Sequence, residues 1–310
     1  MKNSVLFLVG PTGSGKTELA LILAKRLGAE IISADSMLVY RGMNIGTAKP
    51  SLDQRRKIRH HLIDITSPRS NFSVYRYRRE ALRAIRDILK RGKIPLVVGG
   101  SGLYLEALWK GLSAPLGGET KVRKELQKTA DSKGISYLYD QLKKIDPVRA
   151  KKIHPNDRRR IIRALEIAKI SGKTPSEWYE TRESLQDLGF SVRAFGVLRD
   201  RSELYQRINR RVEKMFHQGF LEEVKRLKKS GFSRNAAQAL GYREILTNLK
   251  KETLSKPELI ALIQTKTRQF AKRQLTWFGR EKDIEWIEWV GGKESASKIC
   301  DKIIKGIKHG

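Results

Sequence analysis

Residues 5–17 read VLFLVGPTGSGKT, an apolar run followed directly by the glycine-rich segment 10–17. The apolar run predicts a buried strand, and the pattern from Lys16 onward predicts a helix that ends at Gly28. A strand, a glycine-rich turn and a helix start place backbone N–H groups and the positive end of a helix dipole around a polyanion. The segment therefore predicts a phosphate-binding loop, although it does not specify which phosphate compound binds.

The residue types in this loop are those that phosphate binding requires. Gly13 and Gly15 let the backbone approach a phosphate closely, and Lys16 supplies a point charge. The hydroxyl of Thr17 is placed to hold Mg²⁺ against the phosphates, which predicts magnesium as the cofactor. The residues assigned to phosphate binding are Gly10, Pro11, Thr12, Gly13, Ser14, Gly15, Lys16 and Thr17.

The charge of the chain indicates a polyanionic partner. Its 310 residues include 64 Lys plus Arg against 33 Asp plus Glu, which gives a formal net charge of +31. This excess is larger than solubility requires and is typical of proteins that bind nucleic acid, with a generally basic surface as the alternative. The single cysteine, Cys300, excludes an internal disulfide and a zinc site built from several cysteines.

The sequence gives no sign of a membrane protein. No stretch is long and apolar enough to span a bilayer, and the first predicted strand begins close to the N-terminus without a signal-like segment. We therefore expect a cytoplasmic protein without membrane association.

Strand and helix signals alternate over the first hundred residues. Apolar runs at 30–34, 61–65 and 94–98 predict further strands, and the helical spacing of apolar residues at 74–90 predicts a helix. This alternation is typical of an α/β fold with a parallel sheet flanked by helices, as in P-loop NTPases. Ligands of such folds bind at the carboxyl edge of the sheet.

A charged helical segment interrupts this pattern after Gly111. From there to about residue 188 we find helical stretches and no convincing strand, whereas 192–198 predicts a strand again. The remainder is mostly helical, and 284–290 is either a last edge strand or a packed tail. We therefore predict a core of residues 1–112 and 190–310, with a helical C-terminal part and an all-helical insertion at 113–189.

Two further loops should open onto the same edge of the sheet as the phosphate loop. Asp35 follows the second strand, and its carboxylate can bind magnesium, hold a ribose or accept a proton from a nucleophile, with a helix N-cap or turn aspartate as the structural alternative. Ser101 lies in the glycine-rich turn 99–102, where its hydroxyl can reach a phosphate or a base, although a simple tight turn is an equal alternative. The strand 94–98 ends in glycines rather than in an acidic residue, which favours group transfer over nucleotide hydrolysis.

Basic residues concentrate in three clusters that are candidates for nucleic-acid binding. The first, with arginines at a predicted helix start where they oppose the helix dipole, contains Arg149, Lys151, Lys152, Arg158, Arg159, Arg160 and Arg163. The second contains Arg76, Arg78, Arg79, Arg83 and Arg86. The third contains Lys266, Arg268, Lys272 and Arg273, with Phe270, Trp277 and Phe278 between and after them as stacking partners or core.

Six sequence blocks in this order resemble the tRNA isopentenyltransferase (IPP transferase) family. They span most of the chain, and the block at 31–50 has no role known to us in other phosphate-loop enzymes. The blocks are LVGPTGSGKTELA at 8–20, IISADSMLVYRGMNIGTAKP at 31–50, IPLVVGGSGLYLEAL at 94–108, IHPNDRRRIIRALEI at 153–167, LGYREI at 240–245 and RQFAKRQLTWF at 268–278.

The resemblance implies a prenyl transfer to tRNA. Members of the family move a dimethylallyl group from dimethylallyl diphosphate to N6 of adenosine 37, beside the anticodon of tRNAs that read codons starting with U. The loop with Lys16, Thr17 and Mg²⁺ would then hold the diphosphate leaving group rather than ATP, and Asp35 would accept the proton of the amine. Ser101, where the family usually has threonine, would hold the diphosphate or the target base.

The resemblance also implies an arginine that contacts the diphosphate. Arg207 and Arg211 are four residues apart on a predicted helix and share a face. The family has such an arginine in this helix, and Arg211 is the better match.

The stretches of the family that contact tRNA can be transferred to this sequence. The resemblance implies that the insertion holds the anticodon stem-loop, and one acceptor held by one chain predicts a monomer. The matched residues are Asp35, Ser36, Met37, Leu38, Ser101, Arg123, Arg159, Arg160, Ile161, Ile162, Arg163, Gly241, Tyr242 and Arg243.

Three other functions remain open from the sequence. A small-molecule kinase would use the loop for ATP and Asp35 for a hydroxyl acceptor. A prenyltransferase acting on free adenine nucleotides would modify AMP as fast as an anticodon stem-loop. A non-catalytic RNA-binding protein would form no product with any RNA.

Overall fold

The structure of the protein is a computed structural model in which most of the chain is described. The described residues are 3–113, 121–291 and 294–309. Residues 114–120 of the expected insertion lie outside this set, as do residues 1–2, 292–293 and 310 of the expected core.

The chain divides into two compact units. The first consists of residues 1–109 and 189–310, and the second of residues 110–188. The first unit contains the phosphate loop and every strand among the described residues.

A parallel sheet forms the centre of the first unit. Its order is β3-β2-β4-β1-β5-β6, and each neighbouring pair is parallel, which confirms the predicted α/β fold. The sixth strand pairs with the fifth at the edge, so the tryptophan-rich segment near the C-terminus is an edge strand. The strands are β1 Ser4–Val9, β2 Ala29–Ala34, β3 His60–His61, β4 Ile94–Gly99, β5 Ser191–Leu198 and β6 Ile284–Glu288.

Helices of the first unit cover both faces of this sheet. Leu6 and Leu8 of β1 share a hydrophobic core with the first and last helices, whereas Phe7 stacks on Trp109 at a centroid distance of 5.2 Å. Because side chains alternate along a strand, these contacts lie on opposite faces. The helices are α1 Lys16–Leu27, α2 Leu52–Lys57, α3 Val74–Lys90, α4 Gly102–Trp109, α10 Arg201–His217, α11 Phe220–Ser230, α12 Tyr242–Lys251, α13 Lys256–Phe278 and α14 Ala296–His309.

The second unit is helical throughout its described residues. Its core contains Leu126, Leu138, Leu142, Ile161 and Leu165, which are at most 2% exposed. The helices are α5 Lys121–Lys133, α6 Ile135–Ile145, α7 Pro147–Lys151, α8 Arg158–Ser171 and α9 Pro175–Glu180.

None of the helices in the described parts of the chain has the length and apolar character that crossing a membrane requires.

Candidate active site

A cavity of about 500 Å³ lies where β1, β2 and β4 end. Its wall is apolar at Ile31, Ile63 and Val98. The polar and charged residues that line it include Lys16, Thr17, Asp35, Arg207, Arg211 and Gln274. Residues distant in sequence thus form one site. The segments that follow β1 and β2 contribute to it, and so does helix α10.

The phosphate loop forms one side of this cavity. Its residues Thr12, Gly13, Gly15, Lys16 and Thr17 line the cavity, whereas Gly10, Pro11 and Ser14 are buried. Gly15 has a φ of +96°, and a Cβ at this position would lie 2.6 Å from the Trp289 ring, so only glycine fits. Glycine is therefore required at this position both by the positive φ and by the close packing of the Trp289 ring.

Arginines from outside the loop hold its backbone. Arg207 Nε donates to the Gly13 carbonyl at 2.9 Å, and Arg199 Nε donates to the Ser14 carbonyl at 2.9 Å. The Arg199 guanidinium also lies over the Trp289 ring, 3.7 Å from its centroid. With these carbonyls bound, loop N–H groups other than those of Thr12 and Ser14, which have partners within the protein, are available for an anion. Sequence reasoning missed Arg199, which lies outside every motif.

The cations of the cavity are in a partly desolvated, like-charged environment. Desolvation lowers the pKa of Lys16 to about 7; the nearby Arg211 charge acts in the same direction, and the Asp35 carboxylate opposes it. Burial also lowers the pKa of Arg211, which nevertheless stays charged as guanidinium groups do. Lys16 Nζ donates to the Pro11 carbonyl at 2.6 Å. A bound polyanion would relieve this excess of positive charge.

Asp35 faces these cations from the end of β2. Its Oδ1 accepts a hydrogen bond from the Met37 N–H at 2.8 Å, and among the described residues its Oδ2 has no hydrogen-bond partner. The residues that follow form turns, so of the two structural alternatives Asp35 is a turn aspartate and does not cap a helix. The carboxylate is therefore oriented by one oxygen and can accept a proton on the other.

Ser101 connects the loop after β4 to the loop after β2. Its hydroxyl accepts a hydrogen bond from the Ser36 N–H at 3.1 Å. Gly100 lines the cavity, and Ser101 follows it beside the cavity rather than in its lining. Leu38 also lines the cavity, whereas Ser36 and Met37 are half-buried outside the lining.

Comparison with known proteins assigns the chain to a family. The family model described as IPP transferase matches residues 38–281. A tRNA dimethylallyltransferase of Carboxydothermus hydrogenoformans is 47% identical over 307 residues, which cover 98% of this chain and 97% of the relative. The chain belongs to the IPP transferase family. The family model begins to match at Leu38, after the phosphate loop and Asp35, whereas the alignment with this relative covers 98% of the chain.

Further IPP transferase relatives match nearly all of this chain. A tRNA dimethylallyltransferase of Geobacter sulfurreducens is 45% identical and covers 97% of both chains. The tRNA isopentenylpyrophosphate transferase of Bacillus halodurans has a TM-score of 0.72 at 38% identity, with 99% of this chain and 96% of that chain covered. A eukaryotic dimethylallyltransferase, crystallised acting on tRNA, has a TM-score of 0.81 at 30% identity, with 99% of this chain and 80% of that chain covered.

Four of the arginines expected to contact tRNA in this IPP transferase lie in the second unit. Arg159 and Arg160 are exposed in the first turn of α8, where Asp157 caps the helix by accepting the Arg160 N–H at 3.0 Å. Arg123 and Arg163 each bind the buried Glu166 carboxylate at 2.6 Å. Asp157 thus offsets the unfavourable placement of arginines at the helix start. Arg159 and Arg160 present their charge to solvent, whereas the other two hold a buried carboxylate.

Three side chains expected to contact tRNA are buried instead. Ile161 is 0% and Ile162 5% exposed within the hydrophobic core of the second unit. Tyr242 is 0% exposed and follows the buried Gly241, whereas Arg243 is exposed and bound to Glu244 at 2.6 Å. Apolar packing fixes these three side chains, and the expected contact of these residues with tRNA stays a prediction.

The aromatic residues of the third basic cluster divide between core and cavity. Phe278 is 0% exposed and belongs to the core, and Trp277 packs against Gly102, where a Cβ would lie 2.6 Å from the indole. Phe270 is 36% exposed and lines the cavity. Of the three, Phe270 is the one placed to stack on a planar ligand.

Tyr242 contributes to a buried carboxylate network that sequence reasoning missed. Glu223 of α11 is 4% exposed, and its carboxylate accepts the backbone N–H groups of Asn44, Ile45 and Gly46 at 2.9–3.2 Å. It also accepts the Tyr242 hydroxyl at 2.5 Å. The network fixes the loop that continues to Thr47, whose carbonyl accepts a hydrogen bond from Arg211 at 3.3 Å.

Replacing Tyr242 with Phe is expected to lower the free energy of unfolding by about 1–2 kcal/mol, because the buried Glu223 carboxylate loses a donor. Urea denaturation measures this change, and fluorescence anisotropy with a labelled anticodon stem-loop measures RNA affinity. We expect unchanged RNA affinity for Tyr242→Phe and weaker binding for Arg243→Ala. A Tyr242→Phe variant of normal stability that binds RNA poorly would instead indicate that the Tyr242 hydroxyl contacts RNA directly.

Proposed function

We propose that the protein transfers a dimethylallyl group from dimethylallyl diphosphate to N6 of adenosine 37 in tRNAs that read codons starting with U. The products are N6-dimethylallyladenosine and diphosphate. The observation that carries the proposal is the cavity that the phosphate loop, Arg211 and Asp35 line together with apolar side chains. Relatives 45–47% identical over nearly the full length are named tRNA dimethylallyltransferases.

The diphosphate of the donor binds to the phosphate loop. Loop N–H groups, Lys16 and Arg211 stabilise the negative charge that develops on oxygen as the carbon–oxygen bond breaks. Thr17 is exposed and lines the cavity, and its hydroxyl, a hard oxygen ligand that suits Mg²⁺, would hold the ion there. Magnesium bound there supplies further charge neutralisation of the leaving group.

The acceptor adenosine enters opposite the donor. An exocyclic amine on adenine is a weak nucleophile, so its position and the removal of its proton both lower the barrier. Asp35 accepts this proton on Oδ2, and Ser101 holds the adjoining loop through Ser36. The base must leave its stack to reach the site, as for other enzymes that act on a base.

Phosphate contacts to tRNA come from the basic surface. The net charge of +31 supplies the electrostatic attraction, and exposed arginines such as Arg159 and Arg160 bind the anticodon stem through the second unit. One chain acts on one tRNA, as a monomer.

Mass spectrometry of nucleosides tests the proposal directly. An anticodon stem-loop with A37 is incubated with protein, Mg²⁺ and dimethylallyl diphosphate. In parallel samples a stem-loop with G37 or AMP replaces this acceptor, or ATP replaces dimethylallyl diphosphate. We expect a five-carbon unit on adenosine only in the A37 sample. Comparable modification of AMP would instead indicate a prenyltransferase of free nucleotides, and absence of product from every acceptor would contradict enzymatic transfer.

Binding of inorganic diphosphate is expected to take up protons through Lys16. The pKa of about 7 leaves Lys16 mostly neutral at about pH 8, and an anion beside the amine raises this pKa. Titration calorimetry in two buffers with different ionisation enthalpies measures the uptake, and Lys16→Met provides the correction for the ligand's own titration. Equal uptake by wild type and Lys16→Met would show that Lys16 is already charged in the free protein.

A further inference from the structure

A buried amide side chain joins two loops of the cavity. Gln274 lies on α13 and is 8% exposed. Its Oε1 accepts a hydrogen bond from the backbone N–H of Thr12 at 2.8 Å. Its Nε2 donates to the carbonyl of Gly100 at 2.8 Å. One side chain therefore spans the loops that follow the neighbouring strands β1 and β4.

Gly100 provides the space that this amide occupies. A Cβ at Gly100 would lie 2.4 Å from Gln274 Nε2 and 3.0 Å from the Gly10 carbonyl. A larger residue at this position would displace the amide or the backbone. The contact thus requires both a glycine and a glutamine, 174 residues apart in the chain.

The loop held by Gln274 is bonded in turn to both neighbours of Asp35. The Ser101 N–H donates to the Ala34 carbonyl at 3.3 Å. The Ser101 hydroxyl accepts the Ser36 N–H at 3.1 Å. Hydrogen bonds therefore lead from Thr12 in the phosphate loop through Gln274 to the backbone on either side of Asp35.

We propose that Gln274 is a positioning residue that fixes the distance between the phosphate loop and Asp35. This inference rests on the proposed function, which places the leaving diphosphate at the loop and the proton acceptor at Asp35. Transfer needs the attacking nitrogen and the leaving oxygen on opposite sides of the reacting carbon, and a displacement of about 1 Å can reduce the rate by about 100-fold.

Only an amide matches both partners of Gln274. Its oxygen faces an N–H donor and its nitrogen faces a carbonyl acceptor. Glutamate would place a carboxylate oxygen against the Gly100 carbonyl, and methionine offers neither a strong donor nor a strong acceptor. Gln274→Met therefore removes both hydrogen bonds and Gln274→Glu removes the one to Gly100, each with little change in side-chain volume.

Steady-state kinetics separate positioning from binding. For Gln274→Met we expect kcat for the A37 stem-loop to fall by about 10- to 100-fold, with the Kd of inorganic diphosphate changed less than about threefold. Gln264→Met is the matched control, because Gln264 lies on the same helix and binds the Asn209 carbonyl and Glu213 instead of the site loops. The control should keep wild-type kcat, and melting temperatures of both variants show whether the fold is retained.

Hydrogen–deuterium exchange of the free protein gives a readout independent of catalysis. Gln274→Met should exchange faster than wild type in peptides containing Thr12 and Gly100, and Gln264→Met should not. Unchanged exchange, an unchanged kcat, or an equal loss of kcat and diphosphate affinity would each overturn the positioning role. If Gln274→Met exchanged faster but the wild type transferred no prenyl group, the structural connection through Gln274 would be supported. The proposed function would then be rejected.

Discussion

Asp35→Asn is expected to lower kcat by about 1,000-fold, because the variant retains the shape of the site but cannot accept the proton of the adenine amine. The Asn oxygen can still accept the Met37 N–H in place of Oδ1. The amide nitrogen then replaces Oδ2, which has no partner among the described residues. The effect should therefore concern proton transfer rather than the fold of the loop.

Single-turnover transfer to the A37 stem-loop measures this effect, and the Kd of inorganic diphosphate reports on the donor side. Asp53→Asn is a suitable control, because Asp53 is 82% exposed and its bridge to Arg56 lies on α2, outside the cavity. If Asp35→Asn kept kcat within tenfold of wild type, Asp35 would hold substrate rather than accept the proton.

Elements with strong local signals were predictable from the sequence. The helices 16–27 and 74–90 have the predicted ends, because Gly28 at the first C-terminus adopts the left-handed conformation with φ of +62° and Gly92 just beyond the second has φ of +69°. The third strand was predicted at 61–65 but contains only His60–His61. Leu62 and Asp64 have φ of +63° and +58°, which ends the extended backbone there.

The site was predictable only where its residues belong to motifs. The phosphate loop, Asp35 and Arg211 line the cavity because each follows or faces the end of a parallel strand. Gln274 lies within the block at 268–278 and Glu223 lies outside every block. Both act through backbone groups 174 to 262 residues away, so no local pattern indicates the role of either. The matched block around Ile161 could not separate buried side chains from exposed ones, since both support the same helix.

Lys16→Met is expected to reduce kcat/KM for dimethylallyl diphosphate by about 1,000-fold, since it removes a charge directed at the leaving group. Both ground-state binding and the barrier should change, because the diphosphate carries negative charge before transfer and gains more during it. Initial rates over a range of donor concentrations measure the effect. Lys25→Met, an exposed lysine in the last turn of the same helix, provides the control.

The stability of Lys16→Met shows whether this loss reflects function rather than misfolding. The pKa of Lys16 falls from its ordinary 10.5 to about 7 on folding, mainly through desolvation, so the unfolded state binds more protons between these values. The contribution of Lys16 to stability therefore rises with pH across this window and is most unfavourable at or below about pH 7. Lys16→Met should consequently melt above wild type at about pH 6, with the difference shrinking toward about pH 10. A variant that melts below wild type at both pH values would mean that Lys16 supports the loop structurally, and its kinetic loss could not then be assigned to charge on the diphosphate.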